Sequence, residues 1–82
     1  MSVSRGGDGV ISLVGDCTAQ DAERLLTALL DDRKAIVDWR ACDSAHTAVI
    51  QVLMASGAVV EGPPRGWFLA QHVAPILTQG RS

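Results

Sequence analysis

Four polar side chains stand together ahead of an apolar stretch, and they are Asp43, Ser44, His46 and Thr47. The stretch that follows has the composition of a helix, so these groups gather at a helix N-terminus. One role for them is capping, in which Asp43 or Ser44, and also Thr47, satisfies N–H groups of the first turn. The other role is an anion or phosphorylation site, because the free N–H groups and the helix dipole favour negative charge. We favour capping and keep both roles open.

Cys42 and His46 stand four residues apart and are the nearest approach to a catalytic or metal-binding pair, with Asp43 and His72 as further polar groups. A zinc site normally includes a Cys-x-x-Cys or His-x-x-x-His pair, and the sequence has neither. A Cys–His nucleophile also needs a group that orients the imidazole and an oxyanion hole. The glycines at positions 6, 7 and 9 are not followed by the Lys-Ser/Thr of a phosphate loop. We therefore expect no enzyme activity, no metal and no cofactor.

Composition indicates one folded domain over residues 1–82, with 48% hydrophobic and 20% charged residues. The net charge is −2 and the basic residues are scattered, which argues against nucleic acid as a partner. No apolar run approaches the ~18 residues of a membrane span, and no signal-peptide core is present. We expect a cytoplasmic protein without membrane insertion. Cys17 and Cys42 are expected to be reduced, partly buried thiols rather than a disulfide.

Hydrophobic periodicity predicts the first half of the fold. Residues 1–5 alternate as a short edge strand, a glycine-rich turn follows at 6–9, and residues 10–14 form a buried strand that ends at Gly15. Thr18 is a helix cap with Asp21 as its capping-box partner. Apolar residues at helical spacing then predict an amphipathic helix over residues 19–32, with Ala22, Leu25, Leu26 and Leu29 on its buried face.

The second half continues the alternation of strands and helices. We predict a strand over residues 34–39, a polar crossing over 40–43, and a helix that starts between Ser44 and Thr47 and ends at Gly57. Residues 58–61 are briefly extended and residues 62–66 form a surface loop. We expect a buried strand over 67–70, a helix over 71–79 with Pro75 in its first turn, and a frayed end over 80–82. This order predicts an α/β domain with a central, mainly parallel sheet.

The second helix is apolar on nearly every side. At 100° per residue, its predicted core face contains Ile50, Leu53, Met54 and Gly57. Its opposite face contains small apolar and uncharged residues, which are Ala48, Val52 and Ala55 flanked by Gln51 and Ser56. Either the C-terminal segment covers this second face, or the face is exposed and binds another protein. We favour the second alternative.

The strand Ile36-Val37-Asp38-Trp39 and the helix that contains Val49-Ile50-Gln51-Val52-Leu53 resemble the STAS domain of the anti-sigma factor antagonist family. The upstream run of residues 10–15 and its amphipathic helix also resemble the opening of that family. The resemblance covers most of the chain by pattern, with about a dozen informative positions. It implies a four- to five-stranded mixed sheet with helices packed on one side. It also implies a non-enzymatic role in bacterial signal transduction, in which a kinase-type anti-sigma factor binds the second helix and its N-terminal turn.

One departure from the family concerns its phosphoacceptor, a Ser or Thr within an Asp-Ser-Ser/Thr-Gly turn. Asp43-Ser44-Ala45-His46 matches the turn by identity and places Ala45 at the acceptor position. Counting without gaps from Asp38 instead places the turn at residues 46–49 and the acceptor at Ala48. We prefer the ungapped register. In both registers the acceptor is alanine, so Thr47 or Ser44 would have to be phosphorylated in its place.

The leading hypothesis is a regulatory module that binds its protein partner through one patch of residues: Asp43, His46, Thr47, Ala48, Gln51, Val52 and Ala55. The alternative is a STAS-like accessory subunit of a larger complex, such as an ABC-type lipid transport system. Such a subunit would be bound permanently and would not need a phosphorylation switch.

Overall fold

A computed structural model describes residues 2–79 of the chain, with side-chain surroundings through Leu77. Met1 and the end expected to fray, residues 80–82, lie outside the described residues. The elements follow in the order β1 (Val3–Arg5), β2 (Val10–Cys17), α1 (Ala19–Asp31), β3 (Ile36–Ala45), α2 (Thr47–Ser56), β4 (Val59–Glu61), a π-helical segment (Leu69–Val73) and α3 (Ala74–Gln79).

The four strands form one mixed sheet in the order β1-β2-β3-β4, which is also their order in the chain. β1 and β2 pair antiparallel around the predicted glycine turn, where the Gly6 N–H donates to the Val10 carbonyl at 2.8 Å. β2 pairs parallel with β3, and β3 parallel with β4. The predicted α/β fold with a mixed, mainly parallel sheet is confirmed, with four strands in the described chain.

The helices pack on one face of this sheet. The strand register aligns Ile11, Val37 and Val60 across β2, β3 and β4, and all three belong to or border the hydrophobic core. That core also contains residues from α1, α2 and the π-helical segment, which are Leu25 and Leu29, Val49 and Leu53, and Leu69 and Val73. The next row across the sheet, Ser12, Asp38 and Glu61, is polar and partly or fully exposed. One sheet face is therefore buried and the other is open.

Both central strands extend further than predicted. β2 continues through Gly15, which has a positive φ of 70°, to Cys17, and β3 continues through the predicted polar crossing to Ala45. Pairing shifts register twice, between Ser12 and Val14 and again between Gly15 and Asp16. Such irregularities interrupt the alternation of buried and exposed residues, and for this reason the pattern predicted a crossing where a strand exists.

The helix caps follow local chemistry, with one correction. Thr18 accepts from the Asp21 N–H at 3.4 Å while Asp21 accepts from the Thr18 N–H at 2.7 Å, so the predicted capping box is confirmed. Gly57 ends α2 in the left-handed conformation, as predicted. The N-cap of α2 is His46, whose Nδ1 accepts from the Ala48 N–H at 3.0 Å. The prediction that Asp43 or Ser44 caps this helix is wrong, because both residues lie within β3.

The predicted strand over residues 67–70 is wrong, because this segment is helical. Trp67 and Phe68 are 69% and 61% exposed, whereas Leu69 and Val73 are buried four residues apart, which is helical spacing. Pro75 lies in the second position of α3, directly after the π-helical segment. A proline inside a regular α-helix clashes with the carbonyl four residues earlier, and a wider π turn relieves that crowding.

Candidate functional site

A groove of about 540 Å³ lies between α1 and α2. The α2 side of the groove consists of small or uncharged residues, which are Ala48, Gln51, Val52, Ala55 and Ser56. The α1 side consists of three leucines and the arginine beyond the helix end, which are Leu26, Leu29, Leu30 and Arg33, and Ala58 completes the lining.

Helix α1 contributes more apolar surface than the sheet can cover. Leu25 and Leu29 are buried in the core, but Leu26 and Leu30 remain 44% and 58% exposed on the flank that faces the groove. The sequence placed Leu26 on the buried face, and this is wrong because the buried stripe of α1 is centred on Leu25 and extends to Asp21 and Ala28, which leaves Leu26 at its edge. Leu30 and Arg33 were missed, although a leucine outside the main stripe of an amphipathic helix was an available signal.

Helix α2 is rotated about its axis relative to the prediction. Val49 and Leu53 are buried, at 0% and 2% exposure, whereas Met54, predicted in the core, is 55% exposed. Ile50 is only half-buried. The helix packs against both the sheet and α1, so its apolar side chains contact two different neighbours. An angular average over an apolar helix cannot decide which residues face which neighbour.

The predicted outward face of α2 is therefore the wall of the groove. Ala48 and Val52 are half-buried there and Ala55 is exposed. Alanine side chains on this wall leave space that larger residues would fill. Four of the predicted partner-binding residues thus lie together: Ala48, Gln51, Val52 and Ala55.

The polar residues predicted at the helix N-terminus do not line this groove. The Asp43 carboxylate forms a two-point ion pair with Arg65, whose Nε and Nη2 donate at 2.6 and 2.7 Å. This guanidinium lowers the pKa of Asp43 below its ordinary range. Ser44 donates from its hydroxyl to Asp16 Oδ1 at 2.8 Å. His46 is occupied as the cap and Thr47 is exposed at the first position of α2.

The groove is lined mainly by apolar and uncharged side chains. Of the described residues that line it, Arg33 alone carries a charge. Among residues 2–79, no three His, Cys, Asp or Glu side chains come together as a metal site. The same part of the chain contains no helix with the length and apolar character that a membrane crossing requires. Apolar walls with one cation suit contact with apolar side chains of another molecule.

The fold and this groove define an α/β domain with an open groove between two of its helices. Comparison with protein-family models, with curated proteins and with solved structures finds no match to the chain.

Proposed function

We propose that this protein is a non-enzymatic regulatory module that resembles the anti-sigma factor antagonists, and that it binds a protein partner through α2. One observation carries the proposal. The uncharged wall of α2 faces two exposed leucines of α1 across an open groove, where a surface helix would normally show charged residues. The proposed partner is a kinase-like or anti-sigma-like protein, in keeping with the family that the sequence resembles.

The groove offers enough apolar area to anchor a partner. A fully buried leucine is worth roughly 1.5–3 kcal/mol relative to an exposed one. Because Leu26 and Leu30 are about half exposed, covering both is expected to contribute about 1.5–3 kcal/mol. Central apolar contacts of this kind commonly dominate the free energy of binding at protein interfaces.

The start of α2 supports the ungapped alignment with the family turn. Asp43 to Ala45 lie in β3, whereas Thr47 and Ala48 open the helix, where the family has its turn and phosphoacceptor. Under this register the acceptor position is Ala48, whose methyl group lines the groove. Apolar contact at that position favours binding without the usual phosphorylation switch. Thr47 and Ser44 are both exposed and are the remaining candidates for modification.

A second candidate function is that of an accessory subunit held permanently in a larger complex, such as an ABC-type lipid transport system. A separate exposed apolar patch favours it. Trp67, Phe68 and Ile76 are 69%, 61% and 55% exposed on the C-terminal helical segment. A subunit that contacts its complex on two sides would cover both this patch and the groove.

Two neighbouring substitutions on α2 test the proposal. Ala55→Arg places a long cationic side chain in the groove, whereas Met54→Arg places the same group on an exposed position outside its lining. Both side chains replace exposed residues in the last turn of α2, where a cation suits the helix dipole. We expect both variants to keep the wild-type circular dichroism spectrum and melting temperature.

The assay is affinity capture from source-cell extract, followed by mass spectrometry of the partner and of the captured bait. We expect wild type and Met54→Arg to retain the same partner and Ala55→Arg to lose it. Equal capture by all three baits would refute binding through the groove. Phosphate on Thr47 or Ser44 of the bait would favour switched binding, and capture of an ATPase that survives high salt would favour the accessory subunit.

A further inference from the structure

Two buried cysteines meet between the end of β2 and the second half of β3. Cys17 Sγ and Cys42 Sγ lie 3.8 Å apart, which is hydrogen-bonding contact between thiols, and neither is in a disulfide. Cys17 is 3% exposed and Cys42 is completely buried. Both thiols were expected to be partly buried and are almost completely buried, and their mutual contact was not predicted. No role in the groove explains it.

We propose that Cys17 and Cys42 form an oxidisable thiol pair, which a peroxide converts into an intramolecular disulfide. This proposal does not depend on the identity of any partner. In the first step the Cys17 thiolate attacks one peroxide oxygen, so that Cys17 becomes a sulfenic acid and water leaves once the released hydroxide takes up a proton. In the second step the Cys42 sulfur displaces the sulfenic hydroxyl as a second water. Two thiols and one hydrogen peroxide thus give one disulfide and two water molecules.

The surroundings assign the two sulfurs different roles. The Cys42 thiol can donate to Cys17, and this hydrogen bond lowers the pKa of Cys17 below that of an ordinary thiol. The same contact, together with burial, raises the pKa of Cys42. In the neutral pair the Cys42 thiol also has the Ser44 carbonyl within 3.4 Å as an acceptor. Because Cys42 is completely buried and has this carbonyl as an acceptor for its proton, whereas Cys17 is 3% exposed, we assign Cys17 as the nucleophile toward the peroxide and Cys42 as the thiol that resolves it.

The strand pairing beside Cys17 is irregular, which bears on whether the bond can form. A disulfide requires the sulfurs to approach to roughly 2.05 Å, which side-chain rotation and a small strand displacement must supply. The ladder between β2 and β3 shifts register between Gly15 and Asp16, directly beside Cys17. Gly15 itself has a positive φ, so the strand is already irregular there. An irregular ladder resists such a displacement less than a continuous one.

The pair also sits at the junction of both groove helices. Cys17 directly precedes Thr18, the cap of α1, and its carbonyl accepts from the N–H of His46, the cap of α2, at 2.8 Å. A bond between the two sulfurs would therefore constrain the strand residues next to the caps of both helices.

The test uses the intact chain, reduced and then exposed to hydrogen peroxide in native buffer. After quenching, the protein is denatured, treated with a maleimide and weighed by intact mass spectrometry. We expect a monomer that is lighter by two hydrogen atoms, takes up no maleimide and recovers both thiols on treatment with dithiothreitol. The proposal would be overturned if maleimide still labelled both thiols after a peroxide exposure that fully oxidises free glutathione. Formation of disulfides only between chains would overturn it too.

Single variants test the assigned roles. In Cys42→Ser we expect Cys17 to stop at the sulfenic acid, which a dimedone-type reagent captures. In Cys17→Ser we expect Cys42 to lose its thiol roughly tenfold more slowly, because thiolate character and exposure control oxidation. Equal oxidation rates in the two variants would overturn the assignment of Cys17 as nucleophile. The wild-type mass measurement decides the proposal even if a variant fails to fold.

Discussion

Truncation of Val49 is expected to destabilise the protein more than truncation of the larger Met54. Val49 is completely buried, so Val49→Ala removes two buried carbons at about 0.8 kcal/mol each. The remaining cavity adds about 1 kcal/mol, and the higher helix propensity of alanine offsets about 0.5 kcal/mol. The free energy of unfolding should fall by about 2 kcal/mol, which corresponds to a melting temperature lower by roughly 8–16 °C.

Met54→Ala is the matched substitution on the same helix. Its side chain is 55% exposed, so we expect a loss below about 1 kcal/mol. Urea denaturation followed by circular dichroism measures both values, with an unchanged m-value as the check on two-state behaviour. If Met54 were in the core, its truncation would cost about 2–5 kcal/mol and that of Val49 almost nothing. That reversed order would refute the observed rotation of α2.

Two further predictions concern β3 and the loop that docks on it. Gly66→Ala should lower the free energy of unfolding, measured by urea denaturation, by roughly 1–3 kcal/mol. The reason is that the new Cβ would overlap the Asp43 carbonyl. Gly7→Ala is the control, because no atom lies near its new Cβ. Arg40 donates to Asp38 through two side-chain nitrogens and lowers the pKa of that carboxyl from 3.8 to about 2. The contribution of this ion pair to stability is therefore complete above pH 3.8 and is lost as the pH falls through about 2. An NMR titration of Asp38 measures this pKa.

Either prediction can fail in a definite way. Equal stability of the two glycine variants would mean that the loop does not approach β3 as closely as described. If the pKa of Asp38 were at its ordinary value and did not change in Arg40→Ala, the ion pair would not form in solution.

Features fixed by local chemistry were predictable from the sequence. Thr18 with Asp21 caps α1, and Gly57 ends α2 in a left-handed conformation that disfavours side chains. The hairpin turn follows from its glycines in the same way. Each of these features depends on residues within four positions of one another, so no knowledge of distant contacts is needed.

Features set by distant contacts were not predictable. The C-terminal segment begins with Trp67 and Phe68, which favour strands, and contains Pro75, which disfavours a regular helix. Its helix forms because Leu69 and Val73 join a core assembled by the rest of the chain. The groove is a similar case, because it exists only once α1 and α2 lie side by side. Sequence periodicity identified the wall of α2. For the opposite wall the available signal was Leu30, outside the main stripe of α1, and nothing in the sequence placed that leucine beside α2.

The sheet order has a consequence for how the chain assembles during synthesis. Because β1, β2, β3 and β4 are neighbours in the same order in which they leave the ribosome, each strand emerges beside the edge that it will join. No strand has to wait for a later one to be inserted between it and its partner. Assembly can thus proceed by addition at a single growing edge, with pairings between consecutive strands at each step. Both helices of the groove would be in place before β4 and the C-terminal helix arrive.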